Sequence, residues 1–401
     1  MRDHQENTPP RQEDIEADDA EEIIFLQDDL PAPMADEEDE MEEVTEEELD
    51  QMLDQYLGKD ESIMTFDKHK SPVFSCSLHP SKNWASTGGE DDMGFVWNTN
   101  TGEVVHEISG HKDTVLSCTF NFDGSYLASG DIAGEIQVFK LSDGIRKVWE
   151  YSMGDMCWMK WHPSANVLMA GAESGEIYVW RIPSGDCKIL PGQGHKCESG
   201  ELTGDGKKIF AGYGDGVLRL WDIKNSTVIS EVTSTHPLAH TDNVSTVSCD
   251  PENPLYMSGG EDGKILFVSN NGPVGSVETA GPVECVAFST NPDYKVAASG
   301  SLHGQVAIWD HAKQSLRVTC EHNEPDDGIT ILRWLPENTL LAGTIQGNLL
   351  AFDGRSGQLK FKLEGHAADI YSAQYDARQQ ILLTVSEDTT AKIFKCPIGE
   401  V

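Results

Sequence analysis

Between Gly194-His195 and Trp221-Asp222 the chain spells out the pattern from which the rest can be read. A Gly-His pair opens the stretch. A strand-like segment runs to Ala211-Gly212-Tyr213-Gly214, an Asp215-Gly216 turn follows, and Val217-Leu218-Arg219-Leu220-Trp221-Asp222 closes it. Asp and Gly suit such a turn because they tolerate backbone angles that strands exclude. The same unit then recurs with variations. Aligned on the end of its third strand, the positions are Trp97, Phe139, Trp180, Trp221, Val268, Trp309, Phe352 and Phe394, with successive gaps of 42, 41, 41, 47, 41, 43 and 42 residues.

A Gly-His start, a Trp-Asp end and a period of about 40–45 residues resemble the WD40 repeat, one four-stranded propeller blade. The expected fold is therefore all-β: an eight-bladed WD40 β-propeller over residues 62–401, with seven blades as the alternative if one unit is misassigned. Period-2 apolar strands such as Val115-Leu116-Ser117-Cys118-Thr119-Phe120 support this. The turn before the third strand recurs as Asp91-Asp92, Ala133-Gly134, Ser174-Gly175, Asp215-Gly216, Asp262-Gly263, His303-Gly304, Gln346-Gly347 and Asp388-Thr389. The longest gap leaves room for an insertion near Ser234-Thr235-His236-Pro237. The last unit has only three strands, ending in Ala391–Lys395. Ser62–Phe66 is strand-like and is expected to supply the fourth, closing the ring and removing an exposed edge.

Composition narrows the function. The 401 residues carry a formal net charge of -39, which argues against direct nucleic-acid binding and for basic partners. No apolar run approaches the roughly 20 residues of a membrane span, and the N-terminus lacks an apolar signal core. The expected location is the cytoplasm, with the nucleus as a further compartment, and the expected state is a monomer. The nine cysteines show no disulfide framework; Cys76 and Cys118 fall at equivalent strand positions and read as small buried side chains. Cys187, His195 and Cys197 match no zinc spacing, and there is no P-loop or Rossmann pattern. Neither metal nor cofactor is expected.

Residues 1–61 hold 25 Asp or Glu against three Lys or Arg and read as a mostly disordered acidic leader. Within it, Thr45-Glu46-Glu47-Glu48 looks like a capping box. Leu49, Met52, Leu53, Tyr56 and Leu57 then recur at helical spacing, so a short amphipathic helix is expected near 46–57. It would pack on its own propeller or dock another protein. Ile23-Ile24-Phe25-Leu26 is a second apolar patch with the same two readings.

His, Ser or Thr, Asp and an aromatic recur together: His69, Thr87, Asp91 and Trp97; His195, Asp215 and Trp221; His240, Ser258 and Asp262; His366, Thr384, Asp388 and Phe394. A hydrolase triad would occur once, whereas this set repeats with the blade. In WD40 blades, which these units resemble, such residues form a buried network tying the turn to the inner strands, so the chain is expected not to be an enzyme. Ala133, Ser174, His303 and Gln346 stand where other units have the turn Asp. Val268 stands where the Trp should be, so the fifth unit is expected to be looser.

Glu90, Glu173, Glu261 and Glu387 recur before the turn Asp or its replacement. Asp113, Asp155, Glu198, Asp242, Glu284, Asp327 and Asp369 lie in loops entering the innermost strands. In this architecture both loop types share one face, so a ring of carboxylates around one mouth is expected. It is either a set of ordinary solvated loop acids or a negative platform for a Lys/Arg-rich segment. The excess of about -17 that remains beyond the leader favours the platform. Trp158 and Trp161 would face opposite ways unless a bulge intervenes, and are either core or an arginine-stacking site.

Two runs narrow the family. Gly154-Asp155-Met156-Cys157-Trp158-Met159-Lys160-Trp161-His162-Pro163, followed by Val167–Gly171, is unusual among WD40 units, as is Pro183-Ser184-Gly185-Asp186-Cys187-Lys188. Over residues 62–401 the chain resembles the angio-associated migratory cell protein family, which includes the fungal dedicated chaperone of a large-subunit ribosomal protein. The resemblance implies a partner: the basic N-terminal segment of newly made ribosomal protein ten of the large subunit, held until RNA phosphate outcompetes the carboxylates. A signalling or cell-migration scaffold, or a histone-binding propeller, are the alternatives.

Overall fold

The computed structural model describes residues 59–142, 144–322 and 327–398. Residues 1–58 of the acidic leader, with the expected helix at 46–57 and the patch Ile23-Ile24-Phe25-Leu26, lie outside the described residues.

Eight four-stranded antiparallel sheets make up the described chain. Blade 1 runs from Val73 to Ile108, blade 2 from Ser117 to Ser152, and blade 3 from Met156 to Leu190. Blades 4 to 7 are Cys197–Val232, Thr246–Glu278, Val283–Cys320 and Ile329–Leu363. Blade 8 joins the three strands between Ile370 and Lys395 to the strand Ser62–Phe66. That strand pairs antiparallel with Ala391–Lys395, Thr65 opposite Lys392 and Phe66 opposite Ala391. Both ends of the propeller thus hydrogen-bond in one sheet, which closes the ring. Eight is the count, and the alternative of seven falls away.

The strands form where they do because apolar residues alternate along them and turns interrupt the alternation. The core is divided into eight apolar layers, each shared by two neighbouring blades. Phe66, Trp97 and Ile393 close the layer between blades 8 and 1, with the Phe66 and Trp97 rings stacked 4.6 Å apart. A buried aromatic of this size contributes about 2–3 kcal/mol. Blade 5 is as well packed as the others: Val268 is 1% exposed, within the layer it shares with blade 4.

The turn between the second and third strands needs a left-handed residue in every blade. Gly fills it in six, from Gly134 (φ +81°) to Gly347 (φ +82°). Asp92 (φ +59°) and Thr389 (φ +69°) occupy it in blades 1 and 8. For a β-branched residue this conformation is strained.

Trp158 and Trp161 are resolved by a bulge at Cys157, where register shifts between Met156 and Trp158. Trp158 lies over Gly171 and Gly200, and Trp161 donates Nε1–H to Thr119 O at 3.0 Å. Trp334, at the equivalent position of blade 7, donates to Ala287 O at 3.0 Å. Trp158 and Trp161 are both half-buried packing residues.

Candidate functional site: the acidic mouth

The repeated polar set is structural. His69 Nδ1 lies 3.0 Å from Asp91 Oδ1, and its Nε2 lies 2.9 Å from Thr87 Oγ1. His240 does the same with Asp262 (2.9 Å) and Ser258 (2.9 Å), and His366 with Asp388 (2.8 Å) and Thr384 (2.8 Å). A carboxylate only accepts, so Nδ1 carries the proton. Burial alone would raise Asp262, but hydrogen bonds from His240 and the Thr241 amide outweigh it and hold the carboxyl at about 2. Asp388 is lowered in the same way, with Thr390 adding a donor.

Several members depart from the expected set. His195 and Asp215 lie 3.6 Å apart with His195 exposed, and Asp215 accepts the Val217 amide of its own turn at 3.3 Å. Trp221 donates to Tyr213 OH at 3.1 Å, and Trp97 Nε1 has no partner; both act by packing. Blade 2, expected to lack the acid because Ala133 stands in the turn, uses Asp131 instead: His111 Nδ1 to Asp131 Oδ2 is 3.2 Å, and Nε2 to Ser129 Oγ is 2.8 Å. The spacing His111 to Ser129 equals that of His69 to Thr87, the signal that could have found it. Asp327 is the clearest correction. Expected on the acidic face, it is fully buried and accepts from the Gln346 amide and Asn348 Nδ2, each at 3.1 Å. It replaces the missing brace of blade 7.

The remaining expected acids are positioned by two loop types at one end of the propeller. Each turn after a second strand donates backward to the loop entering its own blade: Glu90 N to Pro72 O, Glu173 N to Asp155 O and Glu387 N to Asp369 O are each 2.9 Å, and Glu261 N to Asn243 O is 3.0 Å. The next blade's loop donates to the turn, as Met156 N does to Ile132 O (2.8 Å). Glu90, Asp113, Asp155, Glu173, Asp242, Glu261, Glu284 and Glu387 are exposed there, and Glu198 and Asp369 are half-buried.

The innermost strands finish the mouth. In six blades their second residue is a bulge: Phe74, Cys157, Glu198, Glu284, Thr330 and Tyr371. Bulges re-aim side chains. Glu284 reaches solvent but is crowded by protein atoms, so desolvation first, then Glu261, raises its carboxyl. Asp369 is raised by burial, then by Glu387 and the buried Asp327. Asp155, Glu173 and Glu198 surround Cys157 at a recess of about 330 Å³; burial and these three acids hold its thiol at about 12 against the opposing charge of Lys196. Lys196 Nζ already pairs with Glu198 at 2.9 Å. Phe74 and Tyr371, which the charge pattern did not single out, stack at 4.6 Å with the rings 9° from parallel.

Deeper, three residues beyond the bulges, Lys160 and Arg333 bring cations beside the acid Glu201. Lys160 pairs with Glu201, and Arg333 donates to Ala373 O. Desolvation lowers Arg333, partly offset by Cys76 and Glu201.

Eight repeated four-stranded sheets with recurrent His–Asp–Ser/Thr braces define a WD40 propeller, a class of protein-binding scaffold. The WD domain, G-beta repeat model matches residues 60–98, 102–140, 231–268, 272–310 and 357–395. The chain belongs to the angio-associated migratory cell protein family: it is 34% identical to the human protein of that name over 358 residues, covering 84% of this chain and 80% of the relative. It is also 23% identical to the ribosome assembly protein SQT1 of Saccharomyces cerevisiae, over 82% of this chain and 83% of the relative. Among solved structures, Chaetomium thermophilum Sqt1 bound to the N-terminus of the ribosomal protein L10 superposes with a TM-score of 0.78 at 22% identity, covering 84% of this chain and 100% of that one. At that identity the likeness is one of fold.

Proposed function

We propose that this chain is a non-catalytic binding protein that holds the basic N-terminal segment of a newly made large-subunit ribosomal protein on its acidic mouth. The observation that carries the proposal is the crowding of carboxylates there: burial and then Glu261 raise Glu284, and burial and then Glu387 raise Asp369. Like charges held together are relieved by a cation between them, so a Lys/Arg-rich segment gains more here than at scattered surface acids. The fold-level likeness to a structure described as bound to the L10 N-terminus supports the choice of partner. Holding such a segment shields its charge from stray RNA. RNA phosphate at the assembling ribosome then competes for the same cations.

The test is fluorescence anisotropy with a labelled synthetic peptide of that N-terminus and the full chain. Binding is expected to weaken with salt, because exposed charge pairs are screened over about 10 Å at 0.1 M. Reversing Glu261, Glu284 and Glu387 to Lys is expected to weaken it at least about tenfold. Salt-independent binding that ignores these substitutions would overturn the proposal.

A further inference from the structure

At the opposite end of the propeller, where first strands turn into second and third into fourth, a cleft of about 600 Å³ opens between blades 3 and 4. Its floor includes Val167, Val179 and Ile223, and its rim carries Arg181, Lys207 and Lys224. All three cations are exposed. In a chain of net charge -39 this is a local inversion of sign.

The two carboxylates of the rim offset it only in part, since the lining holds Arg181, Lys188, Lys207 and Lys224 against Asp186 and Asp222. Asp222 accepts the Asn225 amide at 2.9 Å and its side-chain amide at 3.0 Å, and Asp186 accepts the Ser184 hydroxyl at 2.8 Å. Both are committed to their own turns. Lys188 spans the cleft and donates to Lys224 O at 2.6 Å, joining the two blades. Among the described residues Arg181 makes no ion pair. Lys207 reaches only its neighbour Asp205, at 3.7 Å.

We propose that this cleft binds an acidic peptide that places an apolar side chain on the floor and carboxylates against Arg181, Lys207 and Lys224. The cations come from three separate segments, Arg181 from the end of the strand Ile177–Arg181 and Lys207 and Lys224 from two turns of blade 4, so they line one concavity and can meet successive acids of an extended segment. A polynucleotide fits worse. Its sugar–phosphate backbone offers nothing to an apolar floor, and the rest of the surface repels a long polyanion. The site lies at the other end from the acidic mouth, so both can be filled at once.

Cys187, on the cleft wall, is the one exposed cysteine among the nine and serves as reporter. The full chain is labelled with a maleimide and the modified sites are read by peptide mass mapping. The probe is an acetylated synthetic peptide of Asp and Glu interspersed with Leu and Phe. At a peptide concentration about ten times Kd, Cys187 labelling is expected to slow about tenfold, since only the free form reacts. The double variant Arg181→Glu, Lys224→Glu is expected to raise the Kd at least about tenfold. Both positions are surface charges, and an unchanged melting temperature will confirm folding. A matched peptide with Lys for each acid is expected to leave Cys187 unprotected. Equal protection by that basic peptide, protection by single-stranded DNA instead of the acidic peptide, or no protection at saturation would each overturn the proposal.

Discussion

Phe74 and Tyr371 stack face to face across the seam between the first and last blades, their ring centroids 4.6 Å apart. They come from opposite ends of the propeller sequence and meet only because the ring closes. Burial, then Glu387, Asp369 and Glu90, raises the Tyr371 hydroxyl pKa, which places the stack among the mouth's carboxylates. An aromatic face beside acids is a seat for a guanidinium, at about 1 kcal/mol. Tyr371→Ala is expected to weaken a basic peptide about fivefold by anisotropy, and Tyr371→Phe to leave binding near wild type. Loss of binding in the Phe variant would assign the effect to the hydroxyl instead.

The mouth has an expected pH signature. Glu284 and Asp369 are raised above their ordinary values, so they lose charge at higher pH than other acids. A cation binds the ionised form, so affinity is present at neutral pH and falls as pH drops through these raised values. Titration calorimetry at successively lower pH should show weakening before ordinary carboxylates protonate. Affinity that stays flat until the ordinary carboxylate range would contradict it.

Asp262 supplies a stability prediction. Its folded pKa of about 2 is below the ordinary 3.8, so its contribution is present above 3.8 and disappears as pH falls through about 2. The difference corresponds to about 2 kcal/mol. Asp262→Asn is expected to lose roughly that at neutral pH in urea melts, and to converge with the parent near about pH 2.

Thr389 holds a left-handed conformation that six blades give to glycine. Thr389→Gly is expected to stabilise the chain by about 1 kcal/mol, read as a higher melting temperature.

Gly200 is fixed by packing. A Cβ there would overlap the Trp158 ring, which also covers Gly171. Gly200→Ala is expected to cost about 1–3 kcal/mol. The double change with Trp158→Leu should recover part of it, because the obstructing ring is gone.

The blade period, the turn positions and the histidine braces of blades 1, 5 and 8 were legible because each is local or recurs at fixed spacing. Asp131 was missed because blade 2 moves its carboxylate two residues up the turn, and alignment on the third strand looked only at Ala133. Asp327 was misassigned because spacing reports where a residue sits on a loop, not whether its carboxylate turns inward. Asn348 and the Gln346 amide, which turn it inward, lie in the following turn.

What the sequence determined by itself was the repeating unit: alternation, turn chemistry and a Gly-His to Trp-Asp frame specify a blade, because each is set by interactions within about 40 residues. Tertiary structure alone decided which charges act together. Glu261 meets Glu284, Phe74 meets Tyr371, and Arg181 meets Lys207 and Lys224 through ring closure and blade packing. Electrostatic and stacking energies depend on distance through space, and separation along the chain does not encode that distance.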